Sequence, residues 1–312
     1  MVEVVKYSAK YKAEWDAFVA GSKNGTFLLL RDYVEYHADR FTDHSLLFYH
    51  KGRLVALLPA NEEGRQVQSH GGLSYAGLVT EKRMKAALML EVVQAMKSYF
   101  QELGFTSILY KAVPHIYHQL PAEEDLYALF RHEAVLCRRD ASSVIDIGGA
   151  AKYSKDRRWR LSQGKRAGFQ VGLSGKYAAF FELERKLLQQ KYNTLPAHTA
   201  EEMALLASRF PENIRLYTAT AADEMLAGVL VYETPQVVHS QYIATSEQGR
   251  NVHALDVLLD WLLTEVYPHK RYFSFGISTE RQGRYLNEGL IRNKESYGAR
   301  TIVHDFYELR LA

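Results

Sequence analysis

The residues best able to do chemistry lie near the end of the chain, between Arg271 and Leu309. An apolar run, Tyr272, Phe273 and Phe275, stops at Gly276, and a polar loop follows: Ser278, Thr279, Glu280, Arg281 and Gln282. The pattern predicts a helix from about Gly283 to Asn293, ending around Tyr297-Gly298, and a last strand from Arg300 to Leu309. A strand, a polar loop and a helix in that order put reactive side chains at the carboxyl end of a strand, where open mixed sheets bind ligands. Glu280 there can deprotonate an acceptor, and Ser278 can hold or activate one. General acid–base chemistry needs such groups within reach of a bound substrate. The plainer reading is a solvated loop acid and serine.

A second group is electrostatic. Lys152, Lys155, Arg157, Arg158, Arg160, Lys165 and Arg166 stand against one acid, Asp156. The stretch carries a formal +6 in a chain of net +3, which leaves the rest at −3. A concentrated basic patch on a slightly acidic body points to an anionic partner: an RNA phosphate, or a nucleotide- or lipid-linked precursor, held by Arg157, Arg158 and Arg160. Trp159, interleaved among them, suits stacking on a base or sugar, or packing in a core. The competing reading is a solvated basic helix.

Several chemistries are excluded or unsupported. His115 and His118 are three apart, but no acidic or cysteine partner completes a zinc site, and no metal is expected. No nucleophile elbow and no Walker loop occurs. Cys137 is the sole cysteine, so no internal disulfide forms, as suits a reducing compartment. No apolar run approaches the ~20 residues that span a bilayer, and the N-terminus lacks a signal pattern. A cytoplasmic protein without membrane insertion is expected. With 312 residues, 47% of them hydrophobic and 24% charged, the chain has material for one large or two ordinary domains.

The elements that must position these residues come in a repeating order. Ser45–His50 and Arg53–Ala60 form a hairpin pattern across Lys51-Gly52, and Ile214–Thr220 and Met225–Glu233 form another. Helices are predicted over residues 10–20, Phe27–Ala38, Glu81–Leu103, Lys176–Tyr192, Thr199–Phe210 and Val252–Val266, the fifth opened by a Thr199/Glu202 capping box. Short strands are predicted at Gln66–His70 and Ser74–Val79, and a third antiparallel strand at Gln236–Thr245. Two helices, a hairpin, more strand, a long helix, a core strand, a short helix and a last strand occur twice. This order implies a tandem duplication: residues 1–150 and 151–312, the second opened by the basic segment 152–170.

That order resembles the GNAT acyltransferase fold. In that family the third and fourth core strands splay apart to admit the pantetheine arm of acyl-CoA. The next helix presents its N-terminus to the pyrophosphate, which would fall to Gln248, Gly249, Arg250 and Asn251. The tandem arrangement is similar to the FemAB-like branch, which carries two such domains, and the resemblance covers nearly the whole chain. The basic segment looks like that branch's Arg/Lys-rich segment. Phe273–Ser278 is similar to its Phe-Asp-Phe-Gly-x-Ser, with Ser274 in place of the acid. Leu290–Ala299 is similar to its aromatic-x-x-Lys-x-x-Phe-Gly-Ala ending.

The resemblance implies an α+β protein of two GNAT-like repeats, each a mixed, mostly antiparallel sheet flanked by helices. It implies an N-acyltransferase moving an acyl or aminoacyl group to an amine of a cell-envelope or sugar-linked acceptor. The donor is acyl-CoA or, in the FemAB-like manner, aminoacyl-tRNA; a non-catalytic binding protein that retains the fold is the remaining alternative. Lys294 falls where ordinary GNAT enzymes place a tyrosine, and is expected to stabilise charge. Asn287 aligns with the family's asparagine. Tyr242 and His239 flank the splay, and their separation of three residues predicts opposite faces of the sheet. The first repeat is expected to be structural or to hold the other substrate.

Overall fold

The structure, a computed structural model, describes residues 1–149 and 152–311. The chain divides into two compact units. Unit 1 comprises Met1–Ala141, Thr279–Tyr285 and Val303–Ala312, and unit 2 comprises Ser142–Ser278 and Leu286–Ile302. The boundary expected between residues 150 and 151 lies outside the described residues.

Unit 1 begins with β1 (Val2–Lys6), α1 (Lys12–Gly21), α2 (Arg31–Val34), β2 (Thr42–Asp43), β3 (Leu46–His50) and β4 (Arg53–Leu58). It continues with β5 (Asn61–Glu63), β6 (Gln66–Gln68), β7 (Val79–Thr80), α3 (Ala86–Glu102), β8 (Ser107–Lys111), α4 (Glu124–Arg131) and the first part of β9 (Val135–Asp146). The predicted helix over Phe27–Ala38 is broken. Leu30 is extended, with ψ 146°, between a 3-10 turn and the single turn of α2. The predicted strand over Ser74–Val79 shrinks to β7. α3 turns Met89, Val92, Val93, Met96 and Phe100 into a core that also buries Leu46, Phe48, Val55 and Leu58 of the hairpin. In that core the Tyr110 hydroxyl donates to the Asp125 carboxylate (2.5 Å) and accepts from the Leu78 N–H (2.7 Å).

Unit 2 holds α5 (Lys155–Gly164), β10 (Gln170–Ser174), α6 (Tyr177–Tyr192), α7 (Ala200–Arg209), β11 (Ile214–Ala221), β12 (Glu224–Glu233) and β13 (Val237–Thr245). There follow α8 (Glu247–Asn251), α9 (Ala254–Trp261) with a π-helical turn at Leu262–Val266, and β14 (Tyr272–Ile277). A small ribbon of β15 (Thr279–Glu280) and β16 (Tyr285–Leu286), then α10 (Glu288–Glu295) and β17 (Arg300–Arg310), complete the chain. The Thr199/Glu202 capping box forms as predicted. The single helix expected over Val252–Val266 is instead interrupted at His253, whose φ is +56°. β10, which carries no clear apolar alternation, was not expected; it pairs antiparallel with β11.

The unit 2 sheet runs β10-β11-β12-β13-β14 and ends on the second half of β9. β13 and β14 are parallel; the other pairs are antiparallel. α9 covers one face, where Leu258, Leu259 and Leu262 join Val229, Val231 and Val238. α6 covers the other face, with Phe181 against Tyr242. Each unit borrows its closing strand from the other half of the sequence. Ser142–Asp146 of β9 lies beside β14, and Phe306–Arg310 of β17 lies beside β8. No helix among the described residues is long and apolar enough to cross a membrane.

Burial pushes the Asp125 carboxyl up to about 6, and the Tyr110 hydroxyl is its partner. Tyr110→Phe should therefore lower stability by about 1–3 kcal/mol, since it strands both the carboxyl and the Leu78 N–H. Urea unfolding near neutral pH measures this, and a cost within error of zero would contradict the pairing.

Candidate active site

The parallel ladder between β13 and β14 is short. It runs from Val237↔Tyr272 to His239↔Ser274 and then stops. β13 continues along β12 to Thr245, while β14 turns to β9 through a bulge between Ser274 and Ile277. Gly276 makes that bulge possible: its φ is +72°, a conformation that costs a residue with a Cβ. The two strands thus separate beyond Ser274, as the GNAT resemblance implied.

The buried Lys294 side chain reaches this strand end from α10. Its Nζ donates to Gly276 O (2.9 Å) and Ile277 O (2.7 Å). An ammonium has three donors, and no described acceptor takes the third. Burial pushes Lys294 down to about 8. Around the same strand end the hydroxyls of Ser142, Ser143 and Ser278 are buried without a hydrogen-bond partner, and Ser142 lies opposite Ile277 in the ladder. Such groups are few in native proteins, and a cluster marks a place for water or a polar ligand. Ser142 and Ser143 escaped the sequence analysis because a serine pair inside a strand carries no motif.

Other expected site residues sit differently. Residues 279–286 form the β15–β16 ribbon rather than helix, so α10 begins five residues later than predicted. Asn287 is the N-cap of α10: its Oδ1 accepts from Leu290 N–H (3.0 Å) and its own N–H donates to Ser278 O (2.9 Å). Glu280 is exposed on the ribbon and belongs to unit 1, whereas Lys294 and Ser278 belong to unit 2.

His239 and Tyr242 share one face, contrary to the expectation from their spacing. Tyr232 pairs with His239 and Leu230 with Tyr242, while Val231 pairs with Ser240, so Gln241 is an extra residue in a bulge. The bulge reverses the alternation. On this face the His239 Nδ1 meets Ser274 Oγ (3.1 Å) and the Tyr242 hydroxyl meets His198 Nδ1 (2.6 Å).

Arg157 was expected to hold an anionic substrate; it is instead 5% exposed and engaged within unit 2. Its guanidinium pairs with Asp256 and donates to the Tyr297 hydroxyl (2.8 Å), Asn293 Oδ1 (2.7 Å) and Ser296 Oγ (2.7 Å). It also stacks 3.7 Å from the centre of the Tyr297 ring. Arg160 pairs with Asp156, and Lys165 with Asp260. Arg158 remains exposed. So does Trp159, at 57%, with its ring edge-on to His253.

The junction expected to cradle a pyrophosphate is partly satisfied by its own chain. Ser246 Oγ takes the Gly249 N–H, and Ser246 O takes the Arg250 N–H. The Arg250 guanidinium donates to Thr245 O (3.0 Å). Gly249 is buried so tightly that a Cβ would lie 1.9 Å from Leu226 O. Glu247 adds an exposed acid to the first turn, while Gln248 and Asn251 point to solvent. The GNAT fold typically binds acyl-CoA, but these residues do not fit its pyrophosphate. Among the described residues no group of His, Cys, Asp and Glu could hold a metal ion.

The fold is that of a tandem GNAT protein. Residues 152–285 match the family model described as an acetyltransferase (GNAT) domain. Among solved structures, the chain is similar to FemX, with a TM-score of 0.69 at 10% identity, covering 99% of this chain and 97% of that one. It is similar to the C-terminal domain of a putative lysylphosphatidylglycerol synthetase from Agrobacterium fabrum (TM-score 0.60, 11% identity, coverage 97% and 92%). It is also similar to a tandem GNAT protein from the clavulanic acid biosynthesis pathway (TM-score 0.52, 14% identity, coverage 100% and 99%). No curated protein matches the sequence.

The Arg157 node predicts a large stability effect. Arg157→Ala leaves the Asp256 carboxylate buried and unpaired and should cost about 3–5 kcal/mol. Arg158→Ala, on the exposed side of the same helix, should stay within about 0.5 kcal/mol. Equal effects in thermal or urea unfolding would contradict the assignment.

Proposed function

We propose that this acyltransferase attaches an acyl or aminoacyl group to an amine acceptor of the cell-envelope or sugar-linked class, with Lys294 as the group that stabilises the transition state. The observation that carries this reading is the buried Lys294 ammonium at the parting of β13 and β14, with one N–H uncommitted. When an amine attacks an acyl carbonyl, negative charge gathers on the carbonyl oxygen. A fixed, largely desolvated cation beside that oxygen lowers the barrier without reorganising. Two carbonyls already accept from Lys294, which favours its charged form and a donor role over that of a base. Ser278, one residue past Ile277, has a free hydroxyl to hold the carbonyl or the acceptor.

An aminoacyl ester on tRNA is the donor we favour. Trp159 is exposed among Lys155, Arg158 and Arg166, a combination that suits a base stacked beside a phosphate backbone. The tight burial of Gly249 and the acid Glu247 in the first turn of α8 argue in the same direction, against CoA.

Two measurements test these readings. Lys294→Met should lower kcat about 10²–10³-fold. Because the charged form does the work, the wild-type rate should fall as pH rises through about 8, and this limb should be missing from the variant. A variant with the wild-type kcat would overturn the role. For the donor, tRNA affinity should weaken with salt. Trp159→Ala should cost about 1–3 kcal/mol of binding, and Arg158→Ala should reduce the salt slope by about one. A thermal shift with acetyl-CoA and none with tRNA would overturn the RNA donor.

A further inference from the structure

One buried acid is used by nothing described above. Glu184 lies on α6, is 7% exposed, and among the described residues has no hydrogen bond or ion pair. A carboxylate held this way is costly unless something supplies a cation.

The fold fixes what Glu184 faces. It follows Phe180 by four residues and Phe181 by three, so all three lie on one stripe of the helix. Phe180 packs on Gly228 so closely that a Cβ there would lie 2.5 Å from its ring. The Phe181 ring lies 5.3 Å from that of Tyr242. The stripe therefore covers the sheet face that carries Gly228, Leu230 and Tyr232 of β12 and, because of the bulge at Gln241, both His239 and Tyr242 of β13. Ser274, opposite His239 in the parallel ladder, lies on the same face at the point where β13 and β14 part.

The titratable groups turned toward α6 are Tyr232, His239 and Tyr242, with His198 in the loop after the helix. α7 contributes Met203, Leu206 and Ala207 to this interior. Among the described residues, none of these groups is a Lys or Arg. Burial pushes the Glu184 carboxyl up to about 7, where a carboxylate can both hold a proton and release it near neutral pH.

We infer that Glu184 is the acceptor subsite: it binds the ammonium group of a primary amine and takes one of its protons. The assignment rests on the amine-acyltransferase reading and deepens it by naming the group that activates the acceptor. In the step, a proton passes from the acceptor nitrogen to a Glu184 carboxylate oxygen. The freed lone pair forms the new C–N bond to the acyl carbon as the donor's acyl–oxygen ester bond breaks. The leaving oxygen keeps that bond's electron pair and takes, through water, the second proton that the nitrogen loses as the neutral amide forms.

The site can be tested without turnover. In protein labelled with [δ-13C]glutamate, the resonance missing from Glu184→Gln should titrate with a midpoint near neutral pH. Saturating butylammonium should lower that midpoint by about one unit, a tenfold change in proton affinity, and butanol should not move it. An ordinary glutamate midpoint, or one that butylammonium leaves in place, would overturn the assignment. This outcome is independent of whether any acyl donor is turned over. Where transfer to an amine is measurable, Glu184→Gln should lower kcat/KM for that amine about 100-fold and remove the acidic limb of the pH profile near 7. A variant that keeps that limb would exclude Glu184 as the base, even with amine binding intact.

Discussion

The guanidinium of Arg157 is the contact on which the arrangement of unit 2 depends most. It joins α5 to the first turn of α9 through Asp256 and to the last turn of α10 through Asn293, Ser296 and Tyr297. Lys294 sits between Asn293 and Ser296, so the turn that carries the proposed catalytic ammonium is the turn that Arg157 grips. A buried ion pair is favourable only when its remaining donors and acceptors are also satisfied. Here both outer nitrogens and Nε of the guanidinium have partners, and Tyr297 stacks on its plane while donating to the same carboxylate. Arginine's planar fork permits this; a lysine ammonium, a point charge with three donors, would not reach as many partners.

The gap beside β14 is made by irregularity on two neighbouring strands. Gln241 is inserted in β13, and Phe275-Gly276 breaks the register of β14 against β9. Each bulge re-aims side chains. The first brings His239 and Tyr242 to one face; the second turns the carbonyls of Gly276 and Ile277 toward α10. Lys294 neutralises those two carbonyls and holds the strand in its diverging course. The ammonium thus ties the diverging strand to α10, besides being the charge proposed to act on a ligand there.

The sequence showed the larger frame more clearly than the site. Apolar periodicity marked both hairpins, α3, α6 and α7, and the repeated order of elements led to the tandem fold. The strand–loop–helix around Phe273–Lys294 was legible because Gly276 and the polar loop interrupt an apolar run. What failed depends on contacts distant in sequence. Arg157 reads as one more member of a basic run; its burial follows from Asp256 and Tyr297, about a hundred and more residues away. His239 and Tyr242 share a face despite their odd separation, because the bulge at Gln241 leaves no mark in composition. The exchange of closing strands between halves is equally silent, since Ser142–Asp146 fits either sheet. Glu184 did leave a signal: it interrupts the stripe of Phe180, Leu183, Leu187 and Leu188, where an acid has no local reason to be.

Lysine burial alone does not identify the active unit, because unit 1 buries Lys23 and Lys111 and unit 2 buries Lys294. Lys111 in unit 1 and Lys294 in unit 2 are both pushed down to about 8 by desolvation. The difference lies in what their donors do. Lys111 spends all three on the carbonyls of His70, Gly71 and Leu73, closing the loop around Gly71-Gly72. Lys294 spends two, on Gly276 and Ile277. A fully engaged ammonium is a structural pin: a reacting oxygen could reach its charge only by displacing a carbonyl, at the cost of leaving that carbonyl unpaired. A partly engaged one can add a bond as charge develops and lose nothing. On that count of donors unit 1 is equipped to be scaffold, and the chemistry proposed above falls to the strand end in unit 2.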